Sequence, residues 1–212
     1  MKKIINILFI SLLISAPLNL FAEFELLKSE DPSERSREAL RLGSEKIMEA
    51  VPALIELLKD ELTGPRINAI VALGQIGDKR AIEPLIDILN NDSVETARAM
   101  AAEALAGFDT EIVKRELLKA ADTGSENVRS SAVGSLGRSG SDEELGKLIE
   151  KADTDPDWSV RVAAVNALLE YAGNNSEDKK IIKKTVKKSA KDKDERVKKA
   201  ARRVLDILER KQ

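Results

Sequence analysis

Arg66-Ile-Asn-Ala69-Ile-Val-Ala-Leu73 returns as Arg98-Ala-Met-Ala101-Ala-Glu-Ala-Leu105, as Arg129-Ser-Ser-Ala132-Val-Gly-Ser-Leu136 and as Arg161-Val-Ala-Ala164-Val-Asn-Ala-Leu168. Each copy places Ala three residues after Arg and Leu four residues after Ala, and the arginines are 32, 31 and 32 residues apart. Three- and four-residue steps keep those side chains on one face of a helix. A fixed period near 32 residues is the mark of a repeat architecture, in which each unit buries its apolar face against the next. One period earlier lies Arg35, in a predicted helix Ser33 to Leu42 where Glu38 replaces the Ala. The last match is Lys198, Ala201 and Leu205, a step of 37 that implies an insertion at Gly173-Asn174-Asn175-Ser176.

A second apolar helix is predicted in every period: Ala50 to Leu58, Ala81 to Leu89, Ile112 to Ala121, Leu145 to Ala152 and Ile181 to Ala190. The units are therefore helix pairs. Asp31-Pro32 and Asp155-Pro156 read as an N-cap followed by Pro at the first helical position. Ser93, Ser125 and Ser176 are candidate caps. Gly43, Gly74, Gly77, Gly107, Gly137, Gly140 and Gly173 fall near helix ends, where a left-handed residue is expected. Pro52 and Pro84 sit in first turns, where the missing N–H is tolerated.

The pattern resembles HEAT repeats, specifically the short HEAT-like class associated with phycobilisome lyases. Val128-Arg129, Val160-Arg161, Leu73-Gly74, Gly77-Asp78 and Ala81-Ile82-Glu83-Pro84-Leu85 carry the resemblance. It implies an all-α fold: a right-handed α-solenoid of about five helix-pair repeats plus a terminal helix, with the second helices lining a concave surface. The expected organisation is a signal peptide over residues 1–22 and a repeat domain over 23–212. Its units fall near 31–60, 61–92, 93–123, 124–154 and 155–192, followed by a terminal helix at 193–212.

Composition agrees and excludes much chemistry. The chain is 42% hydrophobic and 34% charged but only 3% aromatic, the balance of Ala/Leu/Glu/Lys helices. It has no Cys and no His, which removes disulfides, thiolate nucleophiles, the commonest general base and the commonest metal ligand. The HEAT-like deoxyhypusine hydroxylase holds iron through His-Glu pairs, and a chain without His cannot reproduce that site. A lyase of the resembling class implies an aromatic-walled bilin pocket, and the chain beyond residue 22 has only Phe24, Phe108, Trp158 and Tyr171 to build one, which speaks against catalysis. Glu143-Glu144 with Asp142, and Asp153, Asp155 and Asp157, read as helix-start acids and not as cation ligands. Gly134-Ser-Leu-Gly137-Arg-Ser-Gly140 has the glycines of a phosphate loop but no preceding strand, and reads as a turn. No cofactor or metal is expected.

Lys2 and Lys3 before an apolar run Ile4 to Ile14, then Ala16-Pro17 and Ala22, form the pattern of an export signal with cleavage after Ala22. Without Cys the chain cannot be a lipoprotein, so a periplasmic or secreted bacterial protein is expected. An anchor spanning Ile4 to Phe21 is the alternative. The recurring Arg35, Arg66, Arg98, Arg129 and Arg161 are expected to form an inter-repeat ladder with acids such as Asp92, Asp122 and Asp153.

Charge divides the chain sharply. Residues 177–212 carry +8, residues 23–176 carry −12. Lys179, Lys180, Lys183, Lys184, Lys187 and Lys188 recur in pairs every four residues, continued by Lys198, Lys199, Arg202 and Arg203. Ile181, Ile182, Thr185, Val186 and Ala190 occupy the other side of that helix. The functional expectation is an exported, non-catalytic scaffold that presents Glu56, Lys59, Asp87, Asn90, Lys119 and Lys151 to a protein partner in the envelope. The alternatives are a module that docks an anionic surface on the basic C-terminal helices and, third, a lyase-like enzyme. Nucleic acid is not expected.

Overall fold

A computed structural model describes residues 24–138, 142–174 and 177–210. The leader assigned to residues 1–22, and Gly140 and Ser176, lie outside the described residues. Eleven α-helices are described: α1 Pro32–Ser44, α2 Val51–Leu57, α3 Thr63–Ile76, α4 Ile82–Asn91, α5 Glu95–Leu105, α6 Glu111–Thr123, α7 Glu126–Leu136, α8 Asp142–Thr154, α9 Trp158–Asn174, α10 Lys179–Ser189 and α11 Glu195–Arg210. Among the described residues there is no strand, and no helix is long and apolar enough to cross a membrane.

The fold is an all-α solenoid of helix pairs. First helices stack in order, α1 on α3, then α5, α7, α9 and α11, while α2, α4, α6, α8 and α10 each pack beside the first helix of their unit or the next. The column that defines the repeat is the core of that stack. Ala69, Ala101, Ala132 and Ala164, with Leu73, Leu105, Leu136 and Leu168, are all fully or almost fully buried. Each buried Leu contributes about 1.5–3 kcal/mol relative to exposure. The column's exception in the first unit, Glu38, is buried as well and takes the Arg41 guanidinium at 2.7 and 2.9 Å.

Small residues set the spacing between units. A Cβ on Gly43 would stand 2.6 Å from Ala72 Cα, one on Gly74 2.9 Å from Ala104 Cβ, and one on Gly137 2.8 Å from Ala167 Cα. These glycines are therefore present for close approach of first helices, and not for the left-handed backbone expected of them. Among the described glycines only Gly77, which ends α3 with φ 74°, is left-handed.

Two cap assignments change. Asp157, and not Asp155, caps α9, accepting from Ser159 N–H at 2.7 Å, because α9 begins at Trp158 and Asp155 is drawn inward. Val94 and not Ser93 occupies the N-cap of α5. Asp31 caps α1 as expected, accepting from Ser33 N–H at 2.8 Å with Pro32 behind it. The insertion before the last units is partly absorbed into α9, which runs 17 residues against 11 in α5 and α7.

The last described helix carries a polar outer face. In α11, Val197, Ala201, Val204 and Leu208 are buried toward the solenoid while Lys199, Arg202, Arg203, Glu209 and Arg210 face out.

Candidate functional site

Repeats three and four depart from the pattern, and a cleft opens where they do. Phe108-Asp109 stands one period after Gly77-Asp78, so a bulky ring replaces the glycine of the turn within the unit. That turn is held by Phe108 N–H to Leu105 O at 3.0 Å, and Thr110 starts α6 by accepting from Val113 N–H at 3.4 Å. The Phe108 ring is buried against the core.

Around it lies a cleft of about 440 Å³ lined by the α5–α6 turn, the first half of α6, the end of α7 and Glu144 at the start of α8. Leu105, Phe108, Val113, Leu117 and Leu136 supply an apolar wall; Lys114 and Arg138 supply positive charge and Asp109 and Glu144 negative. A smaller hollow of about 310 Å³ shares Lys114 and Glu144 and adds Arg115. Such a volume with an apolar wall and few polar groups suits a small ligand.

The charged groups differ in freedom. Lys114 lies 3.0 Å from Asp109 and 3.3 Å from Glu111, and hydrogen bonds from its ammonium to these two carboxylates hold its pKa above the ordinary lysine value. Arg138 is exposed and reaches Glu170 at 3.4 Å. Glu144 is only 1% exposed, in the first turn of α8 where the helix dipole favours a carboxylate. Ser135 is spent on structure, donating to Ala102 O at 2.9 Å. Together these groups set two cations, each already paired with an acid of this chain, over an apolar floor, so an anionic ligand would take them by displacing those acids.

The second-helix surface is mostly self-paired. Glu56 and Lys59 pair at 2.8 Å, Asp87 accepts from Asn91 at 2.7 Å, and Asn90, Lys119 and Glu116 form one exposed cluster. Lys151 does not face outward as expected. It is 7% exposed and lies 2.9 Å from Asp122 and 3.8 Å from Asp155, because α8 turns that position into the junction between units.

The arginine ladder exists and includes Asp92 as expected, but Asp60, Asp155 and Asp192 fill it in place of Asp122 and Asp153. Arg35 grips Asp60, Arg66 grips Asp92, Arg129 grips Asp155 and Arg161 grips Asp192, each through two guanidinium nitrogens. Each Asp belongs to the turn after the unit, not before it, and also accepts the backbone N–H two residues on. Asp122 instead pairs with Lys147 and Lys151, and Asp153 with Lys188. Among the described residues no group of His, Cys, Asp or Glu is arranged to hold a metal ion.

At the C-terminal end α10 packs through Ile182, Thr185, Val186 and Ser189. Ile181, placed on the buried side by the sequence pattern, is instead 46% exposed. Lys180, Lys184, Lys187 and Lys188 are exposed and Lys179 and Lys183 half-buried; on α11, Lys199, Arg202 and Arg203 are exposed. Lys198 pairs with Glu195, and Arg203 donates to Asn166.

The sequence names Phe108 only among four aromatics too few for a pocket and Glu144 only as a helix-start acid, and it does not single out Lys114 or Arg138. The one available signal was the Gly-to-Phe change at position 108, which breaks the repeat. Nothing local joins it to Arg138, which the α7 stacking brings alongside.

Comparison with known proteins places these features in a family. HEAT repeats match residues 24–106 and 82–169. A stretch of 73 residues, 34% of this chain, is 42% identical to the bilin biosynthesis protein PecE of Mastigocladus laminosus and covers 27% of it. PecE of Nostoc sp. matches over the same length at 42%, with 28% of that protein covered. The matched part thus spans little more than a quarter of those curated relatives. Among solved structures, the complex of CpcE and CpcF of phycocyanin lyase from Nostoc sp. PCC7120 is similar with a TM-score of 0.63 and 23% identity, over 87% of this chain and 74% of that chain. The bilin biosynthesis matches overturn the expectation of an exported, non-catalytic scaffold. Absent His and Cys limit only the groups this chain can supply, and say nothing of chemistry done on what it holds. With matches that together run from residue 24 to residue 169, the chain belongs to the HEAT repeat family.

Proposed function

We propose that this chain is a lyase-type HEAT component that works with a second protein and holds a bilin-class ligand, an apolar body bearing carboxylates, in the cleft beside Phe108. The observation that carries the proposal is the 42% identity to a bilin biosynthesis protein over 73 residues. The cleft's composition supports it: Phe108 and the leucines face the apolar body, while Lys114 and Arg138 take the carboxylates. The protein partner is proposed by analogy with the similar structure, in which CpcE is in complex with CpcF.

In this role the chain's own side chains bind and orient. Charge-assisted hydrogen bonds from Lys114 and Arg138 fix one edge of the ligand, and the buried Glu144 sets the field beneath them. Neither thiol nor imidazole is present, so where the chemistry needs one of these groups the second protein supplies it.

Titration of biliverdin, followed by its absorbance and induced circular dichroism, tests this. Saturable binding is expected, weakened about tenfold or about 1.4 kcal/mol by Lys114→Ala with Arg138→Ala. Binding that survives both substitutions unchanged, or no induced dichroism with the intact protein, overturns the assignment.

A further inference from the structure

The second helices differ in one respect that neither the cleft nor the repeat explains. On α6 and α8, and at the end of α2, the exposed charges are of both signs and pair with one another, while α4 carries only the acids Glu83 and Asp87. On α10 the charges are all lysine. Among the described residues, Lys179, Lys180, Lys183, Lys184 and Lys187 make no ion pair, and only Lys188 does, with Asp153 at 2.8 Å. Lys180, Lys183, Lys184 and Lys187, with Ile181 among them, line a broad surface hollow of about 780 Å³ whose end is formed by Glu177 and Asp178.

We infer that this face of α10 docks an acidic, extended protein segment carrying an apolar side chain. The inference takes up only the partner half of the proposed function and is independent of the cleft. Four clustered ammonium groups create a positive potential that draws a polyanion. Lys180 and Lys184 are separated by about 6 Å along the helix axis at 1.5 Å per residue. Alternate residues of an extended peptide are about 6.7 Å apart. Carboxylates on alternate residues can therefore meet successive lysines, and an apolar side chain of the same segment covers Ile181, which otherwise stays 46% exposed.

Other anionic occupants fit less of the surface. A helix lying on lipid buries its apolar side in the acyl boundary, but on α10 that side, Ile182, Thr185, Val186 and Ser189, is already spent on the solenoid. A phosphate backbone offers nothing apolar to Ile181 and meets the carboxylates of Glu177 and Asp178 at the end of the hollow. A protein segment can answer each of these features.

The test uses a fluorescein-labelled Glu/Asp-rich peptide with a central Leu, followed by anisotropy on the intact chain. Phosphatidylglycerol vesicles and a single-stranded oligonucleotide serve as parallel probes. Lys180→Gln, Lys183→Gln, Lys184→Gln and Lys187→Gln combined are expected to weaken the peptide at least about tenfold. Ile181→Ser is expected to weaken it about threefold, and the matched change of Lys198, Lys199, Arg202 and Arg203 to Gln to weaken it less than the α10 set does. Unchanged helicity and thermal midpoint in each variant keep the comparison valid; a variant that unfolds is replaced by charge reversal of Lys184 alone. Equal losses from the α10 and α11 sets overturn the proposal, as does binding of vesicles or oligonucleotide in preference to the peptide.

Discussion

Arg98 stands without an aspartate at the position that Gly124 occupies in the repeat, and among the described residues the guanidinium ladder is broken there. Gly124 stands 26 residues after Arg98, as Asp92 stands after Arg66 and Asp155 after Arg129. Arg98 keeps the carbonyl half of the motif, donating to Asp92 O at 2.7 Å, but makes no ion pair among the described residues. Other contacts tie this junction: Asn127 donates to Glu95 at 2.8 Å and Ser131 to Glu103 at 2.8 Å across the same two helices. The nearby Ser125 hydroxyl and the Asn127 amide, which donates to it, lower the Glu95 pKa.

Completing the ladder at this point is expected to destabilise the protein. Gly124→Asp would supply Arg98 with a carboxylate, yet a Cβ there meets Ala120 O at 2.8 Å and Val128 Cγ1 at 2.7 Å. Overpacking of this kind costs about 1–3 kcal/mol, against about 0–1 kcal/mol gained from a partly exposed pair. The expected result is a lower urea midpoint, and a higher one refutes the steric argument. Conversely, Asp155→Ala leaves the Arg129 guanidinium without its acid. The cost expected for a buried pair is about 3 kcal/mol, read from urea unfolding.

Lys46 offers the opposite case. It is the one described non-glycine residue with positive φ, 54°, and it sits one period before Gly77. A side chain in the left-handed region costs about 1 kcal/mol, whereas glycine adopts it freely at a helix end. Lys46→Gly is expected to stabilise the protein by about 0.5–1 kcal/mol after its own loss of chain entropy. Calorimetry should show a raised melting midpoint.

Acid should unfold the stack through its turn aspartates. Burial opposes ionisation of Asp60 and Asp192, but the Arg35 guanidinium with Leu62 N–H, and the Arg161 guanidinium with Asp194 N–H, outweigh it and hold both carboxyls below the ordinary value. A folded-state pKa below the unfolded value of about 3.9 means the unfolded chain binds protons first as pH falls. Their stabilisation is therefore fully present above about pH 5 and is lost as pH drops below about 4 toward the depressed folded values. Asp192→Asn should lower stability at neutral pH and flatten its fall below pH 4, measured by denaturant midpoints across that range.

Trp158, the single tryptophan, reports on the C-terminal cap. The Arg196 guanidinium of α11 lies 3.5 Å from its ring centroid, held there by Asp194. Arg196→Ala is expected to shift the emission maximum of Trp158 without changing far-ultraviolet dichroism. An unchanged spectrum would show that the stacking does not persist in solution.

Much of this protein was legible in its sequence because repeats are local statements made many times. The Ala69, Ala101, Ala132 and Ala164 column and its leucines marked the buried face, and helix pairs followed from their period. The cleft was harder to read. Phe108 was visible as one of few aromatics, but Lys114 and Arg138 are ordinary surface cations until the packing of α6 on α7 brings both to one cleft.

What the sequence determined alone was the class of fold, since periodicity and an Ala/Leu face leave stacking as the way to bury apolar surface. Tertiary structure decided which partner each residue took. Asp155 and Asp157 are two positions apart in one turn, yet one is drawn under Arg129 and the other caps α9. Gly43 and Gly77 are both helix-end glycines, yet one exists for contact with Ala72 and the other for its backbone angle. Sequence spacing fixes which face a residue shares, but the register between neighbouring units fixes what stands opposite, and that register is set by the packing of the whole stack.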